Sequence, residues 1–440
     1  MPEVEPQSQP RTLVRAIGKW SLTALALNTV IGSGIFGLPS PLAGLLGAFS
    51  PFAVLGVGAA MLVIVACLSE VASYFTAAGG PYLYARVAFG RFTGIQMGWM
   101  FWLFRLAASA ANANLFALYL GVFWPQSQNP LPRFLILTTL VWGLAAINFC
   151  GVHGGASVSS VLTIAKLLPL FGICVGGVLF LIAHPHSSAA LPHGSPPNLG
   201  NWLKAGLLLA FSYGGFESAL APTGEVRDPR RDSAFALFTA LGVCIVLYTL
   251  LQWVAVGTVA DLAHHQRPLA DVGRTVLGPI GATIIAIGAL ISTFGNVSGN
   301  ALIVPRITFA LGEQGDFPKL FAAIHPRFRT PYISILAFAL LNWALALGGS
   351  FTWNVALSAV ARLLVYGTGC AALPVLRKKM PDRRVFYMPG GPWLAVLGVI
   401  ICCVLLTQID HTGSMILLAT IVVAALNWAV VRNRPAPTVL

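Results

Sequence analysis

Runs of apolar residues recur along the chain, each close to the roughly 20 residues that carry a helix across the hydrocarbon of a bilayer, and short polar segments separate them. Their limits are 20–46, 50–76, 92–122, 133–150, 156–184, 202–226, 235–259, 279–310, 331–348, 352–376, 391–409 and 413–431, which makes twelve spans. None shows the ten-residue alternation of a barrel strand. The pattern predicts an all-α, polytopic membrane protein. Two spans are interrupted by glycine: Gly32-Ser33-Gly34-Ile35-Phe36-Gly37 in the first and Tyr213-Gly214-Gly215-Phe216-Glu217 in the sixth. A backbone donor or acceptor without a partner costs several kcal/mol in hydrocarbon, so unwound chain at that depth persists only where protein, water or a ligand satisfies it. Paired broken helices about half a chain apart therefore point to a binding site near the bilayer midplane.

Composition supports the membrane reading. Hydrophobic residues make up 57% of the chain and charged ones 9%, whereas about a quarter of a soluble protein is charged. The 26 basic residues against 13 acidic ones give +13, a balance that in a soluble protein would suggest nucleic acid. Position argues otherwise. With a cytoplasmic N-terminus, Arg11, Arg15 and Lys19, Arg86 and Arg91, Arg227, Arg230 and Arg231, and Arg377 to Lys379 all lie on the inner side, while the outer side holds Arg133, Lys204, Arg267 and Arg274. That asymmetry places both termini in the cytoplasm, and the basic excess is topology and contact with anionic headgroups of the lipid bilayer. Met1 to Lys19 lacks an apolar core or cleavage site, so the first span is expected to be retained. The seven cysteines lie in or beside spans without metal-ligand spacing and are expected to be free thiols. The outer connection 184–200, rich in His, Pro and Ser, reads as a flexible connector rather than a metal site.

Gly32 to Gly37 matches G-x-G-x-x-G, but a dinucleotide site needs a preceding strand and an acid about 20 residues later, and the next acid here is Glu70. The shared physics is narrower. Glycines let a ligand approach the backbone, and a resumed helix offers N–H groups that suit a carboxylate; close helix packing is the alternative. In the sixth span the end of the first half-helix, Phe211 to Gly215, would present carbonyls that suit an ammonium. Together the two breaks describe a pocket for the head of an α-amino acid, with Ser33 adding a hydroxyl. Arg105, Lys166, Glu217 and Arg362 fall near mid-membrane, where each needs a partner, water or a role. Lys166 could satisfy the orphan carbonyls of the first break as a sodium ion might, and could exchange its proton; it could equally be a fixed strut. Glu217 could take up a proton or stay paired with Arg105. Glu70 could simply support the inner end of span 2. No nucleophile-base motif, phosphate-binding loop or cofactor signature occurs, so the chain reads as no enzyme and as driven by an ion gradient or by exchange.

At these residues the chain resembles the amino acid-polyamine-organocation transporter superfamily, which includes bacterial amino acid permeases and the arginine/agmatine antiporter. The likeness runs through Gly32 to Phe36, Ala78-Gly79-Gly80-Pro81-Tyr82, Lys166-Leu167-Leu168-Pro169-Leu170, Gly215-Phe216-Glu217, Glu225 to Arg231, and Pro305-Arg306 with Ala310, Gly315 and Pro318. It implies two five-helix repeats of inverted topology (17–185 and 200–378) after a tail (1–16), then two further helices (390–432), with the site between spans 1, 3, 6, 8 and 10. By matching motif, Ser33, Gly34 and Ile35, beside Ile31 and Gly32, would bind the carboxylate, and Phe211, Tyr213 and Gly214, beside Gly215, the amino group. Phe211 would close the outer side, where several relatives have tryptophan. Glu217 matches a carboxylate implicated in pH response, and Lys166 a lysine that replaces a sodium site. Pocket residues on spans 3, 8 and 10 do not transfer; Arg105 and Asn296 are nominated there for side-chain selectivity, and Arg105 with Lys166 and Arg362 leaves room for a second substrate carboxylate. The resemblance implies a secondary transporter of amino acids in the cytoplasmic membrane, working by alternating access. Proton-linked uptake is favoured over exchange and sodium symport, with a non-transporting sensor as the rival of another class. Oligomeric state is open.

Overall fold

The computed structural model describes residues 18–75, 80–151, 156–185, 197–217, 226, 229–381 and 386–433. The tail 1–16, most of the 184–200 connection, the restart of the sixth span after Glu217 and the segment 218–225 lie outside the described residues, as do Ala78, Gly79, Arg227 and Asp228 of the motifs. Fifteen α-helices are described: α1 Lys19–Val30, α2 Ser33–Gly37, α3 Pro39–Leu46, α4 Ser50–Ser73, α5 Gly80–Phe89, α6 Arg91–Leu120, α7 Pro130–Cys150, α8 Ala156–Ala183, α9 Leu199–Ser212, α10 Pro229–Thr258, α11 Pro268–Glu313, α12 Tyr332–Gly348, α13 Phe351–Lys379, α14 Gly391–Leu406 and α15 His411–Val431.

Eight of the described helical stretches are long and apolar enough to cross a membrane, and α12 and α14 are shorter apolar helices. The remaining two spans are the first, which is divided into α1, α2 and α3, and the sixth, whose described part is α9 and the residues up to Glu217. Where sequence limits and helix limits differ, backbone chemistry accounts for it. The stretch before span 8 is helical too, because α11 already starts at Pro268 and Gly278 then turns it at a φ of +70° ahead of Pro279. The segment after span 2 folds as α5 instead of a bare loop.

Long apolar side chains point outward on the peripheral helices, Ile182 and Leu168 on α8 and Leu418 and Val430 on α15 among them. In water such a surface would aggregate; facing lipid it is the expected exterior. The interior is polar at chosen points. α13 lies along α6 and also meets α9, α1 lies along α10, and α11 lies against both α6 and α8. At one end, buried Asp316 holds Arg86 at 2.5 Å and Arg91 at 2.7 Å and accepts from the Tyr82 hydroxyl, and its carbonyl accepts from Asn427 at 2.7 Å. Burial, and then the Asp316 carboxylate, push the Tyr82 phenol above its ordinary range, so it stays a donor. This cluster ties α5, α6, the end of α11 and α15 together. A second one joins α4 to α13: Arg377 grips Glu70 through two bonds of 2.7 and 2.8 Å, and the Met388 N–H donates to the same carboxylate.

Gly215 is the residue on which the centre most depends. Its φ of +113° is one that side-chain-bearing residues rarely adopt, and a Cβ there would run into the Thr29 carbonyl of α1. Gly215→Ala is expected to cost on the order of 1–3 kcal/mol and to lower the temperature of unfolding in detergent. Gly56→Ala on α4, where a Cβ meets nothing within 4 Å, serves as the control and should leave that temperature unchanged or raise it; equal behaviour of the two variants would show that the close approach carries no strain.

Candidate functional site

The first span ruptures at Ile31 and Gly32. α1 ends at Val30, Ile31 is extended with φ −77° and ψ +90°, and the helix restarts at Ser33. Such an end leaves the last carbonyls of α1 without helical partners, and other spans supply them. The Lys166 ammonium, carried on α8, donates to the carbonyls of Asn28 at 2.5 Å and Ile31 at 2.7 Å. The Tyr248 hydroxyl on α10 donates to that of Val30 at 3.3 Å. A cation at a helix C-terminus also meets the negative end of the helix dipole. The resumed half-helix bends again at Leu38 and Pro39, where Tyr119 donates to the Phe36 carbonyl at 2.8 Å and Gln252 to that of Pro39 at 3.2 Å. At its start Ser33 is fully buried and its Oγ has no hydrogen-bond partner among the described residues.

α9 stops at Ser212, and Tyr213, Gly214 and Gly215 are not helical. The two breaks interlock. A Cβ on Gly34 would sit 2.5 Å from the Ser212 Oγ and 2.9 Å from its Cα, and Gly215 presses on the Thr29 carbonyl. The glycines of both breaks therefore serve close backbone approach, with the start of one half-helix laid against the end of the other. Tyr213 is fixed from behind, its hydroxyl donating to the Val54 carbonyl at 2.8 Å and its ring stacked on Tyr248.

Glu217 closes the other side. Its Oε2 accepts from the Gly215 N–H at 2.9 Å and the Tyr366 hydroxyl at 2.7 Å, while its Oε1 lies 3.5 Å from Arg105 and 3.9 Å from Arg362. The Arg362 guanidinium lies flat against Gly214, where any Cβ would collide with it, and reaches the Phe211 carbonyl at 3.4 Å. It also faces the rings of Phe104 and Phe211, at 4.9 and 5.7 Å from their centroids.

The nominated residues thus fall into two groups. Ile31, Gly32, Ser33, Gly34, Ile35 and Lys166 belong to the first break, and Asn296 joins them: its amide nitrogen is 3.2 Å from the position of a Cβ on Gly32, and its oxygen accepts from Asn300. Phe211, Tyr213, Gly214, Gly215 and Glu217 belong to the second, with Arg105. Arg105 and Asn296 thus stand beside different breaks. Asn112, two turns along α6 from Arg105 and so about 10 Å away, is the α6 residue that faces Gly32, with a buried oxygen lacking a hydrogen-bond partner among the described residues. Sequence reasoning missed Asn112, Ser212 and Tyr366, and it named Arg362 without placing it on Gly214. Arg362 and Tyr366 are four residues apart on one helix face, which was the available signal.

The arrangement offers donors, acceptors and fixed charges around two ruptured helices. Such groups can bind a small polar solute. Comparison with known proteins gives the family. A family model described as amino acid permease matches residues 17–426. An uncharacterised transporter of Mycobacterium tuberculosis is 27% identical over 395 residues, covering 88% of this chain and 86% of the relative. A Bacillus subtilis protein assigned as an arginine/ornithine antiporter is 28% identical over 350 residues, 72% of this chain and 74% of the relative. The branched-chain amino acid permease BcaP of Bacillus subtilis is 27% identical over 430 residues, 91% and 90%. The chain is a multi-pass membrane protein that belongs to the amino acid permease family, a family of transporters and not of enzymes.

Proposed function

We propose that the protein moves amino acids across the cytoplasmic membrane by alternating access, as a proton-coupled uptake system with both termini in the cytoplasm. The observation that carries this reading is the interlocked pair of breaks. The restart of the first span directs the N–H groups of Ser33, Gly34 and Ile35 and the Ser33 hydroxyl at a substrate carboxylate. The end of α9 directs the Phe211, Tyr213 and Gly214 carbonyls at its ammonium. The two Bacillus subtilis relatives are named for different amino acids, which supports the class of substrate. Two inverted repeats, 17–185 and 200–378, would rock against each other around this fixed centre.

Lys166 is the proposed coupling group. Its ammonium occupies the carbonyl end of α1, where a bound cation would otherwise be needed, so the cycle does not call for sodium. When the half-helices move, the two carbonyls leave the ammonium, and its proton becomes exchangeable with whichever side is open. Glu217 and Tyr366 sit on the opposite side of the centre and would sense the same motion through Gly215.

Two variants test these roles. Ser33→Trp fills the carboxylate subsite, and uptake of labelled amino acids into reconstituted vesicles is expected to vanish while the purified protein still elutes as a folded species; normal uptake would overturn the pocket assignment. Lys166→Ala should lose accumulation driven by an imposed pH gradient, with sodium making no difference to the native protein. Undiminished accumulation by the alanine variant would make Lys166 a strut and nothing more.

A further inference from the structure

Two asparagines stand beside the first rupture, one on α6 and one on α11, and each has its amide orientation set by its own helix. Asn112 donates its Nδ2 to the Ala108 carbonyl at 2.7 Å. Turned the other way the amide would set oxygen against oxygen, so Oδ1 is the atom that faces Gly32. It lies 3.9 Å from where a Cβ on that glycine would stand. Asn296 is held in the opposite sense. Its Oδ1 accepts from the Asn300 amide at 2.8 Å, which leaves its Nδ2 turned to Gly32, 3.2 Å from the same point. An acceptor and a donor from different helices thus converge on the side of Gly32 that carries no side chain.

The acceptor is an orphan. Asn112 is 2% exposed, and its Oδ1 has no hydrogen-bond partner among the described residues. The Oγ of buried Ser33, the next residue after Gly32, is in the same condition. A buried acceptor left without a donor costs the full desolvation of the group, and helix packing alone gives no reason to place one beside a rupture. A solute anchored by its carboxylate at the start of α2 would stand next to Gly32, and its side chain would meet both amides.

The pair selects among side chains by chemistry. An aliphatic chain would leave both amides unpaired. A carboxylate would set an anion against the Asn112 oxygen, and an ammonium would turn a cation towards the Asn296 N–H groups. A hydroxyl can serve both only through a single oxygen. A primary carboxamide carries its acceptor and its donors on separate atoms, which is the complement of a donor and an acceptor held by two helices.

We propose that the substrate is an amino acid whose side chain ends in a carboxamide, of the glutamine or asparagine type, its C=O accepting from Asn296 and its N–H2 donating to Asn112. Asn112 and Asn296 are the specificity-determining residues. This inference rests on the reading of the protein as an amino acid transporter with the substrate carboxylate at the start of α2.

The test measures thermal stabilisation of the full-length purified protein by L-glutamine, L-asparagine, L-glutamate, L-leucine, L-lysine and L-serine, since a ligand that binds the folded form raises its apparent stability, followed by vesicle uptake of those that stabilise. Glutamine or asparagine is expected to stabilise and to be taken up at concentrations at least about tenfold below those the other four need, because a site built to bond a polar group rejects analogues that leave it unpaired. Asn112→Leu removes the orphan oxygen and keeps the bulk, and it should lower the preference for the carboxamides over leucine by at least about tenfold. Asn112→Ala should do the same should the leucine variant fail to fold. Stabilisation led by any of the other four, or by a mixture of the remaining proteinogenic amino acids, would overturn this inference and leave the transporter reading intact. So would a preference for the carboxamides that persists unchanged in the Asn112 variants. Silence towards all six and the mixture, in stabilisation and uptake alike, would overturn the transporter reading together with this inference.

Discussion

An ammonium group on α8 holds two carbonyls that the end of α1 cannot bond within its own helix. The rest of the centre follows from that contact. Hydrocarbon gives an orphan peptide group no water, so a span can rupture there only if its neighbours supply partners. Lys166, Tyr248, Tyr119 and Gln252 are those neighbours for the first span, drawn from three different helices. With the carbonyl side secured, the resumed half-helix is free to present its N–H groups inward. In the proposed reading the rupture then serves as a recognition surface instead of a defect.

Close approach then joins the two halves of the site. Gly34 against Ser212 and Gly215 against Thr29 leave no room for side chains, so a displacement of either broken span is felt by the other. Glu217 extends the linkage, being bonded to the Gly215 backbone on one side and to Tyr366 of α13 on the other. The tight pairs of Glu70 and Asp316 bind helices firmly, whereas the pairs at the centre are loose. Firmness at the end and looseness in the middle is the distribution expected of a bundle that must hold its helices yet exchange partners with a solute.

Much of this was legible in the sequence, for stated physical reasons. Apolar length alone located the spans, since a helix must be about 20 residues long to cross. The breaks were marked by glycine runs inside otherwise helical segments, and Lys166 stood out because a lone ammonium in an apolar run needs acceptors. What was not legible depends on how helices are rotated and shifted against one another. Arg362 on Gly214, Tyr366 on Glu217 and Asn112 beside Gly32 are contacts between spans far apart in the chain, and the pattern of a single span does not encode them. Asp316 drew no attention in the sequence because its partners, Arg86 and Arg91, lie far away along the chain. Arg105 and Asn296 were grouped as selectivity residues, yet they face different breaks.

The central claim is that the two ruptures together receive the solute. Hydrogen–deuterium exchange of the purified protein, with and without an equimolar mixture of the proteinogenic amino acids, tests it most directly. The account predicts slower exchange at the amides of residues 31–36 and 212–217, with α7 and α15 unaffected. Protection confined to other helices, with both ruptures exchanging as before, would contradict it.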